Sequence, residues 1–194
     1  MRVESATHIS EIDNYLTVYG VCIVQNVLNP QDVKWSQNRL IRHHDIVGRF
    51  SNGHSFAAPD DGRYGRILRA PFIPHMDEQL APLNDTLATL YELRNPKYEY
   101  VELVYRPNSI CEQPGLSPHE DIDLSYNLAM QSVDLHGNPD NRLYIQRHGV
   151  HHIQLNLDEI LIISGSNGVY DPVLHGVKKS SNPRIAQFIL CRDQ

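Results

Sequence analysis

The N-terminal half of the chain carries hydrophobic residues at helical spacing. Over residues 6–18 they recur every three or four positions, which predicts an amphipathic helix that Gly20 terminates. Residues 20–28 form a short apolar run rich in β-branched side chains, so they predict a buried strand. A helix followed directly by a strand is therefore expected at the start of the fold.

Two further helices are expected before the pattern changes. Asn29 followed by Pro30 is typical of a helix start, with an N-cap side chain and a proline at the first helical position, and this helix should reach about Val47. A leucine stripe over residues 77–93 predicts the next one. Between them, residues 50–74 predict a long loop that could cover a substrate. Its three arginines could bind an anion or simply face solvent: Arg63, Arg66 and Arg69.

From residue 98 onwards the pattern changes to short β-type runs separated by turn residues. The runs lie at 98–105, 124–135, 142–146, 151–155, 159–164, 173–177 and 184–191. Many short strands of this kind are typical of a sandwich or barrel. The sequence therefore predicts a mostly β fold with N-terminal helices (α+β). We expect a single domain over residues 1–194, with a helix-rich part (1–97) packed on a double-sheet β core (98–192).

Composition and charge narrow the function classes. The chain has 194 residues, of which 41% are hydrophobic and 21% charged, as in a soluble globular protein. The net charge of −6 disfavours nucleic acid or an anionic membrane as partner. No apolar run reaches the length of a signal peptide or a membrane span, so we expect a cytoplasmic protein. Three cysteines, none in a CxxC pair, are expected to be free thiols: Cys22, Cys111 and Cys191.

Candidate chemistry centres on the segment 117–121. His119 and Asp121 are two positions apart, so if both lie on a strand their side chains share one face. His175 supplies a second imidazole from a later predicted strand, and Arg184 begins the last one. Two imidazoles and one carboxylate on one face form a metal site with open positions, which suits oxygen-activating ferrous iron.

A second His-x-Asp pattern lies at His75 and Asp77, ahead of the leucine-striped helix. Asp77 suits a helix N-terminus. The histidine at a comparable distance beyond this pair, His136, falls in a predicted turn, with no strand-borne arginine after it. We therefore assign the pair at His75 a structural role.

The order of His119, Asp121, His175 and Arg184 on β-rich sequence resembles the Fe(II)- and 2-oxoglutarate-dependent oxygenases, a superfamily with a double-stranded β-helix (cupin-like jelly-roll) core. The run over residues 159–165 is also similar to the strand and turn that precede the distal histidine in that family. The matching motifs are His119-Glu120-Asp121, His175-Gly176-Val177 and Arg184-Ile185-Ala186.

The resemblance implies a function for each of these residues. His119, Asp121 and His175 would bind Fe(II), and Arg184 would hold the distal carboxylate of 2-oxoglutarate, since a planar guanidinium suits bidentate carboxylate binding. With O2 as oxidant, the resemblance implies hydroxylation of a substrate and release of succinate and CO2. A Gly or Ala at position 121 would suggest a halogenase, so the carboxylate favours an oxygenase.

The chain departs from the family pattern beside Arg184. Position 186 is alanine where many relatives have serine. Tyr105 could supply the missing hydroxyl to the co-substrate, or it could be an ordinary core aromatic.

Arg106 and Arg192 are further carboxylate candidates that are more typical of surface charges. Three histidines near Gly149 are expected to be exposed in a hairpin: His148, His151 and His152.

The expected activity is hydroxylation of a small molecule, such as an amino acid or a biosynthetic intermediate. An AlkB-like nucleic-acid demethylase is a competitor. The acidic charge and the lack of a second co-substrate arginine at matching spacing count against it. A prolyl-type protein hydroxylase and a non-catalytic cupin-like binding module stay open, as does the oligomeric state.

Overall fold

The fold is described from a computed structural model. It describes residues 1–49, 67–68, 70–105, 116–178 and 182–194, with side chains for all of these except 43–49, 67–68, 103–105 and 116–117. The helices are α1 (Ile9–Tyr19), α2 (Pro30–Arg49) and α3 (Met76–Leu90). The strands are β1 (Arg2–Val3), β2 (Val21–Val24), β3 (Ile67–Leu68), β4 (Pro96–Tyr105), β5 (Leu116–His119), β6 (Tyr126–Ala129), β7 (Leu143–Gln146), β8 (Val150–His152), β9 (Ile160–Ser164), β10 (Leu174–Val177) and β11 (Arg184–Asp193).

The strands form two sheets. One has seven strands in the order β1-β2-β9-β6-β11-β4-β3, and the other has four in the order β5-β10-β7-β8. Every pair is antiparallel except β1 with β2. The predicted class, mostly β with N-terminal helices, is confirmed.

Apolar side chains on both faces of the seven-stranded sheet build two cores. Leu161 and Ile163 of β9 pack with Leu143 and Ile145 of β7, so this core fills the space between the sheets. The alternate residues of β9, such as Ile162, face the opposite way and pack with the helices. Because β9 is buried on both faces, its sequence is an almost continuous apolar run.

Helices α1 and α3 cover the outer face of the seven-stranded sheet. Burying one leucine or isoleucine side chain contributes about 1.5–3 kcal/mol. The side chains buried there include Ile12, Leu16, Leu80, Leu83 and Leu87. This packing leaves the inward face of the sheet for the candidate site. No helix in the described ranges is long and apolar enough to cross a membrane.

Two predicted helix boundaries are confirmed. Gly20 follows α1 in the left-handed conformation (φ 68°), and its N–H donates to the carbonyl of Leu16. A Cβ at Gly20 would lie 2.3 Å from Val173, so close packing also requires glycine there. At the start of α2, the Asn29 side chain accepts a hydrogen bond from the N–H of Gln31 at 2.9 Å.

Two other predictions need correction. The strand expected over residues 124–135 is shorter, because after β6 the chain leaves the sheet and rejoins it only through isolated bridges at Val133. Within the loop expected over residues 50–74, Ile67–Leu68 pairs with β4 as an edge strand. Residues 50–66 and 69, which include Arg63, Arg66 and Arg69, lie outside the described residues.

The turn after β9 binds the loop that follows β5. The N–H of Ser166 donates to the carbonyl of Asp121 (3.0 Å), and the N–H of Asn167 donates to the carbonyl of Leu124 (2.9 Å). The N–H of Asp123 donates to the Ser166 hydroxyl at 3.1 Å. A Cβ at Gly165 would lie 2.3 Å from the Leu124 carbonyl oxygen, so only glycine permits this approach.

Replacing Gly165 with alanine should therefore lower the free energy of unfolding by about 1–3 kcal/mol, the usual cost of forcing a methyl group into packed backbone. The measurement is denaturant unfolding. Ser166→Ala is the matched control. It removes one side-chain hydrogen bond at an exposed position of the same turn and should cost less than about 1 kcal/mol. Equal stability of the wild type and Gly165→Ala would contradict the close approach.

Candidate metal centre

His119 and His175 meet across the four-stranded sheet. They lie opposite each other in the register of β5 and β10, with ring centroids 4.4 Å apart. His175 also lies opposite Ile145, whose side chain is buried in the core between the sheets. Because directly opposed residues share a face, both imidazoles point towards the seven-stranded sheet.

Asp121 reaches the two histidines from a loop. The condition that His119 and Asp121 both lie on a strand is not met, since β5 ends at His119. The hydrogen bonds to the turn after β9 hold the loop so that the carboxylate points back to the sheet. Its Oδ1 lies 3.9 Å from His119 Nε2, and its Oδ2 lies 3.7 Å from His175 Nε2.

These three side chains fit a metal ion by donor type and by position. One donor atom from each lies within 4.8 Å of the other two, and in the described part of the chain no other group of three or more His, Cys, Asp or Glu residues has this arrangement. The Asp121 side chain is only 12% exposed. Two neutral imidazoles and one carboxylate form the donor set that suits ferrous iron and leaves coordination positions open.

The ring of His175 is oriented for metal binding. Its Nδ1 lies 3.1 Å from the carbonyl oxygen of Val173. A carbonyl can only accept, so Nδ1 carries the proton and the neutral ring presents the lone pair of Nε2 to the site. Burial lowers the pKa of His175, while the carboxylate of Asp121 acts in the opposite direction. The neutral imidazole is the form that binds a metal.

Asn127 supports Asp121 from the other sheet, and the sequence reasoning missed it. Its Nδ2 donates to Asp121 Oδ2 at 3.2 Å. Its Oδ1 is buried and has no hydrogen-bond partner among the residues that the structure describes. The available signal was a polar amide in the middle of a buried apolar strand, where an amide needs partners.

Arg184 opens β11 on the inward face of the seven-stranded sheet. Side chains alternate along β11, so Arg184 shares a face with Ala186 and Phe188, which pack in a small core with Leu124. The Arg184 side chain is 12% exposed, and its Nη2 donates to the hydroxyl of Ser132 at 2.7 Å. Burial lowers its pKa to about 10, with Asp140 opposing the shift, so it is charged at neutral pH.

The other carboxylate candidates are placed differently. The backbone of Tyr105 pairs with that of Arg184, but its side chain lies outside the described residues, as does all of Arg106. Arg192 donates to Glu99 across β11 and β4 at 3.0 Å, so it is the surface charge that the sequence indicated.

The remaining histidines stand apart from the triad, as expected. His75 precedes α3, and Asp77 accepts a hydrogen bond from the hydroxyl of Tyr100 at 2.7 Å, which gives this pair a structural role. The three residues His148, His151 and His152 are exposed around the β7–β8 hairpin. Cys22 and Cys191 are buried free thiols, while Cys111 lies outside the described residues.

Solved structures of hydroxylases and dioxygenases share this fold. A prolyl-4-hydroxylase from Pseudomonas putida superposes with a TM-score of 0.65 at 12% identity, over 96% of this chain and 99% of that one. The dioxygenase for auxin oxidation 1 from Arabidopsis thaliana, in a binary complex with 2-oxoglutarate, gives 0.65 at 13% identity over 100% and 92%. A prolyl hydroxylase from Trichoplax adhaerens, bound to a peptide of the hypoxia inducible factor oxygen degradation domain, gives 0.62 at 17% identity over 97% and 90%.

No protein-family model matches the chain, and no curated protein matches it in sequence. The structural matches confirm the predicted double-stranded β-helix core, which is the fold of these hydroxylases and dioxygenases. At 10–17% identity this likeness establishes the fold. The roles of His119, Asp121, His175 and Arg184 stay predictions that the geometry now supports.

Replacing Asn127 with leucine should weaken the binding of Co(II) or Mn(II) by about 10–100-fold, because it removes the hydrogen bond that orients Asp121. Isothermal titration of the metal-free protein measures this change. Asn84→Leu on α3 is the control, since it removes another partly buried amide away from the triad and should leave metal affinity unchanged. Wild-type affinity in Asn127→Leu would show that the contact does not orient the ligand.

Proposed function

We propose that this chain is a non-haem Fe(II)- and 2-oxoglutarate-dependent oxygenase that hydroxylates its substrate. The observation that carries the proposal is the convergence of His119, Asp121 and His175 between the two sheets of an oxygenase fold. When bound, Fe(II) and 2-oxoglutarate would activate O2 for hydroxylation, with release of succinate and CO2.

The residues of the chain would hold and position these groups. His119 and His175 would bind the ion through Nε2, and Asp121 would offset part of its charge. Arg184 would bind the distal carboxylate of the co-substrate, because a buried charged guanidinium gains most from an anion with two acceptor oxygens. The apolar core between the sheets would limit the access of water to the ion.

We infer that the substrate is a small soluble molecule, such as an amino acid or a biosynthetic intermediate. The net charge of −6 supports this over a nucleic acid, whose binding usually needs a basic surface. One observation favours a protein hydroxylase as the second candidate. The Trichoplax adhaerens structure, which holds a peptide, matches this chain over 97% of its length.

We also propose that residues 1–194 act as one domain. Strand β2, from the helix-rich part, pairs with β9 inside the seven-stranded sheet. Because β9 leads into the turn that holds the Asp121 loop, the N-terminal part contributes directly to the structure around the site.

Anaerobic addition of Fe(II) and 2-oxoglutarate to the metal-free protein should produce a visible metal-to-ligand charge-transfer band, because the proposed chelate brings the keto acid onto the iron. His119→Ala should abolish the band, since it removes one of three ligands. His151→Ala is the control, an exposed histidine on the same sheet that should keep it. The absence of the band in the wild type would refute the proposal.

Replacing Arg184 with glutamine should weaken 2-oxoglutarate binding by roughly 10–100-fold, because a hydrogen bond to a charged group contributes about 1.5–3 kcal/mol. Binding is measured by anaerobic titration of the Mn(II)-loaded protein, and Mn(II) affinity should stay unchanged. Arg192→Gln on the same strand is the matched control and should bind normally. Equal 2-oxoglutarate affinities of the two variants would show that Arg184 does not bind the co-substrate.

Succinate release in the presence of candidate substrates would then separate the two substrate classes. A panel of free amino acids, nucleotides and proline-containing peptides is suitable. Stimulation by a free amino acid or another metabolite supports the small-molecule proposal. Stimulation by peptides alone would favour the protein hydroxylase.

A further inference from the structure

Arg184 lies in a buried corner with a second arginine and one carboxylate. Asp140 and Arg142 come from the irregular segment that links β6 to β7, and their side chains are 5% and 16% exposed. The N–H of Asp140 donates to the carbonyl of Ser132 at 2.7 Å, while the hydroxyl of Ser132 accepts from Arg184. Asp140 is therefore anchored beside the guanidinium through its backbone.

The carboxylate of Asp140 is held by Arg142. The Nε of Arg142 donates to Oδ1 at 3.0 Å and to Oδ2 at 2.8 Å, its Nη2 donates to Oδ2 at 2.5 Å, and its backbone N–H donates to Oδ1 at 3.0 Å. Charge-assisted, forked hydrogen bonds of this kind fix a carboxylate firmly. Both oxygens of Asp140 are thus directed to Arg142.

As a result, Asp140 forms a long ion pair with Arg184 but no hydrogen bond. The Nε of Arg184 lies 3.8 Å from Asp140 Oδ1, beyond hydrogen-bond distance, and it is buried with no hydrogen-bond partner in the described residues. A buried donor in this state favours an incoming acceptor. In the described contacts of this corner, two guanidinium groups share one carboxylate, which leaves a positive charge for an anion.

We propose that Arg142 is a positioning residue that keeps Arg184 available to the co-substrate by holding Asp140 away from it. Without Arg142, Asp140 would close the short gap to Arg184 and turn the long ion pair into a hydrogen-bonded one. The carboxylate of 2-oxoglutarate would then have to displace that pair. This inference rests on the proposed function, because it assigns Arg184 to the co-substrate.

Three variants test the proposal through 2-oxoglutarate binding, measured by anaerobic calorimetry on the Mn(II)-loaded protein. Arg142→Gln should weaken binding about tenfold or more, because truncating one partner of a buried charge pair has large effects on the group left behind. Asp140→Asn should bind at least as tightly as the wild type, because no competing carboxylate remains. The double variant should bind 2-oxoglutarate with an affinity within about threefold of the wild type. In this variant the competing carboxylate of Asp140 and the arginine that restrains it are both absent.

The double variant also keeps the test independent of folding defects, because it replaces the ion pair with two neutral amides and leaves neither partner as an unpaired buried charge. Thermal unfolding and Mn(II) affinity confirm that each variant is folded with an intact triad. A double variant as weak as Arg142→Gln would overturn the proposal and indicate that Arg142 contacts the co-substrate itself. Unchanged binding in Arg142→Gln, or weaker binding in Asp140→Asn, would also overturn it. If the wild type binds no 2-oxoglutarate, the proposed function fails instead.

Discussion

The hydrogen bonds between the loop after β5 and the turn after β9 are the constraint on which the candidate centre depends. His119 and His175 are placed by sheet register alone, since they are opposed on neighbouring strands. The third donor has no such support, because β5 ends before Asp121. The N–H groups of Ser166 and Asn167 fix the backbone of that loop and so return the Asp121 carboxylate to the histidines. This contact requires glycine at position 165, where a side chain would collide with the backbone of Leu124.

The centre joins the two sheets. Its two histidines belong to the four-stranded sheet, whereas Asn127 and Arg184 belong to the inward face of the seven-stranded one. The side chains of Asp121, Asn127 and Arg184 are largely buried and need partners, since an unsatisfied buried group costs about 1–3 kcal/mol. Asn127 donates a hydrogen bond to Asp121, and Ser132 accepts one from Arg184. Within the described contacts, Asn127 Oδ1 and Arg184 Nε have no hydrogen-bond partner. A site for polar ligands requires buried hydrogen-bonding groups of this kind that have no partner within the protein.

The sequence predicted those parts of the fold and site that depend on local pattern. Helix boundaries at Gly20 and Asn29 follow from backbone chemistry, and the strand runs follow from side-chain alternation. The order of His119, Asp121 and His175 indicated the candidate centre, although Asp121 lies on a loop and does not share the strand of His119. Ser132 and Arg142 gave no such signal, and the amide of Asn127 in an apolar strand indicated a need for partners without naming them. Tertiary contacts alone decide which polar residues of β6 and of the segment after it approach the site.

The substitution of serine by alanine at position 186 illustrates this limit. The sequence left two interpretations of Tyr105 open, a substitute hydroxyl or a core aromatic, and its side chain lies outside the described residues. Among the described side chains, Ser132 places a hydroxyl beside Arg184, and it lies in the irregular segment after β6 rather than on β11. Val133 exchanges two backbone hydrogen bonds with Ile185, so the start of β11 and this segment are held together. The hydroxyl that supports Arg184 therefore comes from a neighbouring irregular segment, which becomes part of the candidate site.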